Sequence, residues 1–157
     1  MAKKYNSRQI PTDERYNSKV IAKFINYMMY DGKKSLAQRI VYKAIENVAQ
    51  LLKMKEDDMF HQAVERISPN VEVKSKRVGG ATYQIPRNIV GKRRTIIALR
   101  NLRNCTRNRP EYTTELKLEK ELLSIFDENS TSHALQLKEN IHKKAESNKA
   151  FSRMRWS

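Results

Sequence analysis

Val71-Glu72-Val73-Lys74-Ser75-Lys76-Arg77-Val78-Gly79-Gly80-Ala81-Thr82-Tyr83-Gln84-Ile85-Pro86 interrupts a chain that otherwise reads as helix. From Val71 to Lys76, apolar or small residues alternate with charged ones, the two-residue period of a β-strand. Gly79-Gly80 supplies a tight turn, and Ala81 to Ile85 returns as a second strand that Pro86 should stop. A two-stranded ribbon alone is marginal in water, so this hairpin is expected to lean on the helices or on a ligand.

Outward from the hairpin the apolar period becomes helical. Upstream, Val20, Ile21, Phe24, Ile25, Met28 and Met29 predict a helix over 18–30 that Asp31-Gly32 ends. A second helix should start at Ser35, which has capping-box spacing to Gln38, and carry Leu36, Ile40, Val41, Ala44, Ile45, Val48, Leu51 and Leu52. Asp57 or Asp58 should cap a third, with Phe60, Ala63, Val64 and Ile67 inward and Ser68-Pro69 as its stop. Downstream, a fourth helix runs from Gly91 or Lys92 to Arg107 and buries Ala98, Leu99, Leu102 and Cys105. After a connection at 108–114, Leu116, Leu118, Leu122, Leu123, Ile125 and Phe126 mark a fifth. Beyond the loop 127–130, Thr131 or Ser132 caps a sixth, bearing Ala134, Leu137, Ile141 and Ala145. The expected fold is mainly α, a single domain of six helices over 18–150 with a protruding β-hairpin over 71–86 between helices three and four. It has a basic N-terminal extension at 1–17 and a basic, aromatic tail at 151–157.

Charge narrows the function. The 157 residues carry 32 Lys and Arg against 17 Asp and Glu, a formal net charge of +15. A compact fold with that excess repels itself, and a polyanionic partner is the commonest way to offset it; nucleic acid leads and an acidic membrane surface is second. Between Lys74 and Arg109 stand eleven basic residues and no acid, so one stretch supplies +11 of the +15. A merely solvated face would intersperse both signs, whereas clustered cations gain affinity by releasing condensed counterions from phosphates. This stretch is therefore expected to be the main RNA-facing region. On a helical wheel Arg93, Arg100, Arg103 and Arg107 fall within an arc of roughly 80°.

Other chemistries find little footing. Gly32-Lys33-Lys34-Ser35 mimics the end of a phosphate-binding P-loop, but Tyr27 stands where that motif needs glycine, and helices flank it. Lys33 and Lys34 suit phosphate contact beside a helix N-terminus. His61, His133 and His142 are scattered, Cys105 lies on an apolar helix side, and Asp57-Asp58 suits a cap, so no catalytic residue, metal site, cofactor or small-molecule substrate is expected. Cys105 is the only cysteine and allows no internal disulfide. No apolar run reaches the roughly 18 residues of a membrane span. Tyr83, just past the hairpin tip, suits either stacking on an unpaired base or packing on the helical body. Arg153, Arg155 and Trp156 suit either nucleic-acid contact or docking.

Three stretches resemble the bacterial-type small-subunit ribosomal protein seven family: Asp31-Gly32-Lys33-Lys34-Ser35 leading into Ile40-Val41-Tyr42, the hairpin Val71–Pro86, and Ala145-Glu146-Ser147-Asn148-Lys149-Ala150-Phe151. The resemblance covers nearly the whole chain and implies a helical domain with a protruding hairpin. It further implies binding to the 3′ major domain of small-subunit ribosomal RNA at a multi-helix junction, and nucleation of head assembly. The hairpin would lie near exit-site transfer RNA and messenger RNA, with small-subunit proteins nine and eleven as neighbours. Carried over by position, the ribosomal RNA contacts would be Lys3, Lys4, Arg8, Lys33, Lys34, Lys74, Lys76, Arg77, Lys92, Arg93 and Arg94, joined by the helix-edge residues Arg100 and Arg103. Val78, Gly79, Gly80 and Tyr83 would lie nearest transfer and messenger RNA. The sequence departs from the family pattern at 104–112, helix five is more acidic than expected, and carry-over is weakest over 102–133. That divergence, with many Lys, Asn and Ile, implies a ribosome in the mitochondrial matrix ahead of one in a bacterial cytoplasm or plastid stroma.

Overall fold

The computed structural model describes residues 11–127 and 132–153. Six helices, α1 (Lys19–Met28), α2 (Lys34–Leu52), α3 (Glu56–Ile67), α4 (Lys92–Asn108), α5 (Thr114–Phe126) and α6 (His133–Ser147), enclose one core, and a short 3₁₀ turn, Lys149–Arg153, follows. The apolar stripes explain the packing. Ile21, Phe24 and Ile25 of α1, Val41, Ala44, Ile45 and Val48 of α2, Met59, Phe60 and Ile67 of α3, Leu99 and Leu102 of α4, and Leu118 and Leu122 of α5 are all buried together. Phe24 and Phe60 meet at 5.3 Å between ring centroids. Burial of side chains this size contributes about 1.5–3 kcal/mol each.

Several expected boundaries move. α1 stops at Met28, before Tyr30, and Asp31 and Gly32 take φ of +49° and +75° in a separate turn. In that turn the Lys33 N–H donates to the Tyr30 carbonyl at 3.0 Å. Ser35 does not cap α2: the capping position is Lys33, and no side chain bonds the helix start. Asp57 and Asp58 sit inside the first turn of α3 rather than capping it, where their charge meets the positive end of the helix dipole. Ser132 caps α6 by accepting from the Leu135 N–H. Leu36, Leu51 and Leu116, counted from periodicity as inward, are exposed; each lies at the outer margin of its stripe.

β1 (Val71–Val78) and β2 (Ala81–Asn88) pair antiparallel between α3 and α4. Pro86 does not end β2; it sits opposite Val73 and the pairing continues to Asn88. Both strands of a two-stranded ribbon are edges, which is where a residue without an N–H is tolerated. Gly79 and Gly80 have φ of +56° and +87°, the paired left-handed conformation of a two-residue hairpin turn. The ribbon leans on the body, as its marginal stability requires. Ile85 and Ile89 are buried, the Asn70 N–H donates to His142 Nε2 at 3.3 Å, and the Tyr83 ring packs on Phe151 at 5.3 Å. For Tyr83 this is the packing alternative. Such an aromatic pair is worth about 0.5–1.5 kcal/mol. Phe151→Ala should therefore speed amide exchange in β1 and β2 severalfold and leave exchange in the helical core unchanged, as measured by hydrogen–deuterium exchange.

Residues before α1 are anchored too. Asp13 accepts from the Tyr42 hydroxyl at 2.6 Å and from the Arg15 and Tyr16 N–H groups, so part of the expected extension packs on α2.

A second device joins α4, α5 and α6. The carboxylate of Glu121, with no exposed surface, accepts from Arg109 Nε at 2.6 Å, Ser132 Oγ at 2.8 Å and the Ala134 N–H at 2.9 Å. Arg109 also donates to Ser124 Oγ at 3.0 Å. Arg109, the last residue of the acid-free stretch, is thus a structural cation with acidic partners, only 12% of its side chain being exposed.

Candidate nucleic-acid interface

α4 carries one basic edge and one buried edge. Ala98, Leu99, Leu102 and Cys105 are buried as expected, which turns Arg93, Arg100 and Arg107 to the exposed side, with Arg103 half-buried beside them. Each end of that edge is tied to another element. At its start, Arg93 makes a bidentate pair with Glu72 at the hairpin base, Nε and Nη2 lying 3.0 and 2.8 Å from the carboxylate. Glu72 also lies 3.7 Å from Lys74 Nζ. Further along, the Arg100 guanidinium stands 5.7 Å from the Tyr27 ring centroid. At the end, Arg107 Nη2 donates to the Met28 carbonyl at 3.3 Å and its guanidinium stands 5.8 Å from the Tyr30 ring. The exposed Lys33 and Lys34 follow in the next turn. Hairpin base, α4 edge and the turn before α2 therefore form one continuous cationic strip.

The other expected contacts are placed as follows. Arg77, Gly79 and Gly80 are exposed at the far end of the hairpin, Lys74 and Lys76 are half-buried along it, Lys92 is exposed, and Arg94 is half-buried. Val78 pairs with Ala81 beside the turn. Lys3, Lys4, Arg8, Arg155 and Trp156 lie outside the described residues. Sequence reasoning counted Arg93 as a free phosphate contact, whereas Glu72, two residues upstream of the acid-free stretch, already answers its charge. Arg107, which lies in the basic arc but not among the expected contacts, meets Tyr30 as Arg100 meets Tyr27 only because α1 packs on α4, which residue spacing does not reveal.

Helix starts give independent support. Acidic side chains near a helix N-terminus stabilise by about 0.3–1 kcal/mol and cations there destabilise. α3 opens on Glu56, Asp57 and Asp58, and α5 carries Glu115 in its first turn. α2 begins at Lys33-Lys34 and α4 at Lys92-Arg93-Arg94, without acidic residues in either first turn. Local rules broken in this way mark functional sites: an anion close to those starts would reverse the unfavourable contribution.

Among the described residues the histidines are scattered rather than gathered into one site. His61 pairs with Asp57 and Ser18, His142 with Asn70, and His133 is exposed. Among the described residues no group of His, Cys, Asp and Glu could hold a metal ion, and no helix is long and apolar enough to cross a membrane. Burial pushes the Cys105 thiol up to about 11 from an ordinary 9.0, so it is neutral at physiological pH and a poor nucleophile. The unfolded thiol ionises first as pH rises, so its contribution is complete below pH 9 and is lost through pH 11. Wild type should lose up to about 2–3 kcal/mol more than Cys105→Ala over that window, measured by urea unfolding at each pH.

A protein-family model described as "Ribosomal protein S7p/S5e" matches residues 1–149. Among similar proteins, one named "Small ribosomal subunit protein uS7" from Rhodobacter capsulatus is 46% identical over 149 residues, 95% of this chain and 94% of that protein. Those of the same name from Ruegeria pomeroyi and Thermosipho melanesiensis are 46% and 44% identical over the same length, covering 94% and 95% of their own chains.

Proposed function

Because this chain belongs to the ribosomal protein S7p/S5e family, we propose that it is a structural component of the small ribosomal subunit whose cationic strip grips small-subunit ribosomal RNA. The family is one of ribosomal structural proteins and not of enzymes, in agreement with the absence of any expected catalytic residue. The strip from the hairpin base through Arg100 and Arg103 to Lys33 and Lys34 carries the reading, because Arg100, Lys33 and Lys34 are exposed cations along it. The RNA is the 3′ major domain, where the protein nucleates assembly of the head. Lys3, Lys4 and Arg8 extend the grip from the N-terminal side, and small-subunit proteins nine and eleven are its neighbours. The hairpin tip at Val78, Gly79 and Gly80 points toward exit-site transfer RNA and messenger RNA. Two exposed glycines suit close approach of a backbone, since they add no side chain. Tyr83 sits behind the tip and steadies the ribbon on Phe151. The host ribosome is placed in the mitochondrial matrix, on the Lys-, Asn- and Ile-rich divergence of the sequence; the relatives named above are bacterial, and a bacterial cytoplasm or plastid stroma is the alternative outcome of cell fractionation.

The tagged protein should co-sediment with small subunits through high salt, and recovery only as free protein would leave a non-specific nucleic-acid binder. Deleting Val78 to Gly80 should preserve assembly into subunits and alter exit-site transfer RNA occupancy, measured by chemical footprinting. Failed assembly in that variant would contradict the placement of the tip.

A further inference from the structure

Tyr30 has no place among the expected RNA contacts, although its ring lies against Arg107. It is 69% exposed, although tyrosine ordinarily buries much of its ring. It lies just beyond the end of α1, and the turn hydrogen bond from the Lys33 N–H to its carbonyl fixes its backbone. One face of its ring carries the Arg107 guanidinium at 5.8 Å. That guanidinium is held independently by the Met28 carbonyl, so it stays in place whether or not the ring does. Arg100 and Tyr27 repeat the arrangement earlier along the same seam. Lys33 and Lys34, both exposed, follow within four residues of the ring.

An exposed ring surrounded by cations is a poor seat for an apolar partner, which would have to strip water from three charges. It suits a flat, unpaired base whose neighbouring phosphates meet those charges, because base stacking on aromatic rings combined with cationic grooves is the common mode of single-stranded RNA recognition. We propose that Tyr30 is a stacking platform for an unpaired ribosomal RNA base, with Arg107 behind the ring and Lys33 and Lys34 receiving the flanking phosphates. The inference rests on the RNA-binding function proposed above and adds to it a residue and a single-stranded ligand class.

The test uses the full chain and a transcript of the 3′ major domain. Tyr30→Ala should weaken binding by about 5- to 150-fold while leaving the salt slope unchanged, Tyr30→Phe should remain within twofold, and ultraviolet irradiation of the wild-type complex should cross-link RNA to the peptide containing Tyr30. Circular dichroism should report the same folded state for all three proteins. Binding of Tyr30→Ala within twofold of wild type, an equal loss in Tyr30→Phe, or a changed slope in Tyr30→Ala would overturn the stacking role while the RNA reading stands. A wild-type chain that fails to bind the transcript would overturn both.

Discussion

Replacing Glu121 with Ala is expected to lower the free energy of unfolding by about 3–5 kcal/mol, because it strips the partly buried Arg109 guanidinium of its closer carboxylate and leaves it only Glu111 at 3.3 Å. Arg109 has only 12% of its side chain exposed and Glu121 none. The same change removes the acceptor of Ser132 Oγ and of the Ala134 N–H, so the start of α6 loses its tie to α5. Against a typical total of 5–15 kcal/mol, the loss should bring the thermal midpoint down by about 6–20 °C. Glu121→Gln keeps an oxygen acceptor but not the charge and should fall between. The double variant Arg109→Met with Glu121→Leu should recover only part of the stability, since an apolar pair of similar volume spares the desolvation of both charges but leaves Ser132 Oγ and the Ala134 N–H without their acceptor. Thermal and urea unfolding of the four proteins check this. If Glu121→Ala lost under 1 kcal/mol, the pair would not be a buried clasp.

The largest effect on binding should come from the strip. Lys33→Ala, Lys34→Ala, Arg100→Ala and Arg103→Ala together should weaken RNA affinity on the order of 10²–10³-fold near physiological salt and make the log–log salt slope shallower by up to about three to four units. None of the four has an acidic partner among the described residues, so each has its charge available for a phosphate. Arg93→Ala alone should change the slope by less than Arg100→Ala, because Glu72 already neutralises Arg93 at 2.8 Å. Its main effect should be a looser hairpin base. Filter binding across a salt series separates the two: equal slope changes for Arg93→Ala and Arg100→Ala would mean that Arg93 leaves Glu72 for RNA.

Much of this was legible in the sequence where a residue's role depends on near neighbours. The hairpin followed from alternation and Gly79-Gly80, and the buried side of α4 from Ala98, Leu99, Leu102 and Cys105. What escaped depends on partners distant in the chain. Arg109 reads as one more cation until Glu121 from α5 is folded against it, and Arg93 reads as free until Glu72 meets it across 21 residues. The acidity of the fifth helix looked anomalous from sequence, yet Glu121 in it is the buried partner of an arginine. Leu36, Leu51 and Leu116 had the right spacing and the wrong exposure, because a stripe fixes which face is inward but not where its margin ends. Pro86 was misread as a stop because a two-stranded ribbon has no central strand for it to disrupt.

The claim that one continuous strip faces RNA is tested most directly by hydroxyl-radical cleavage from iron tethered to single cysteines in a Cys105→Ala background, assembled on small-subunit ribosomal RNA. Probes at Lys33→Cys and Arg100→Cys should cut adjoining segments of the 3′ major domain, while a probe at the exposed Leu51→Cys, at the far end of α2, should cut neither. Cleavage from Leu51 with none from the strip positions would contradict the account.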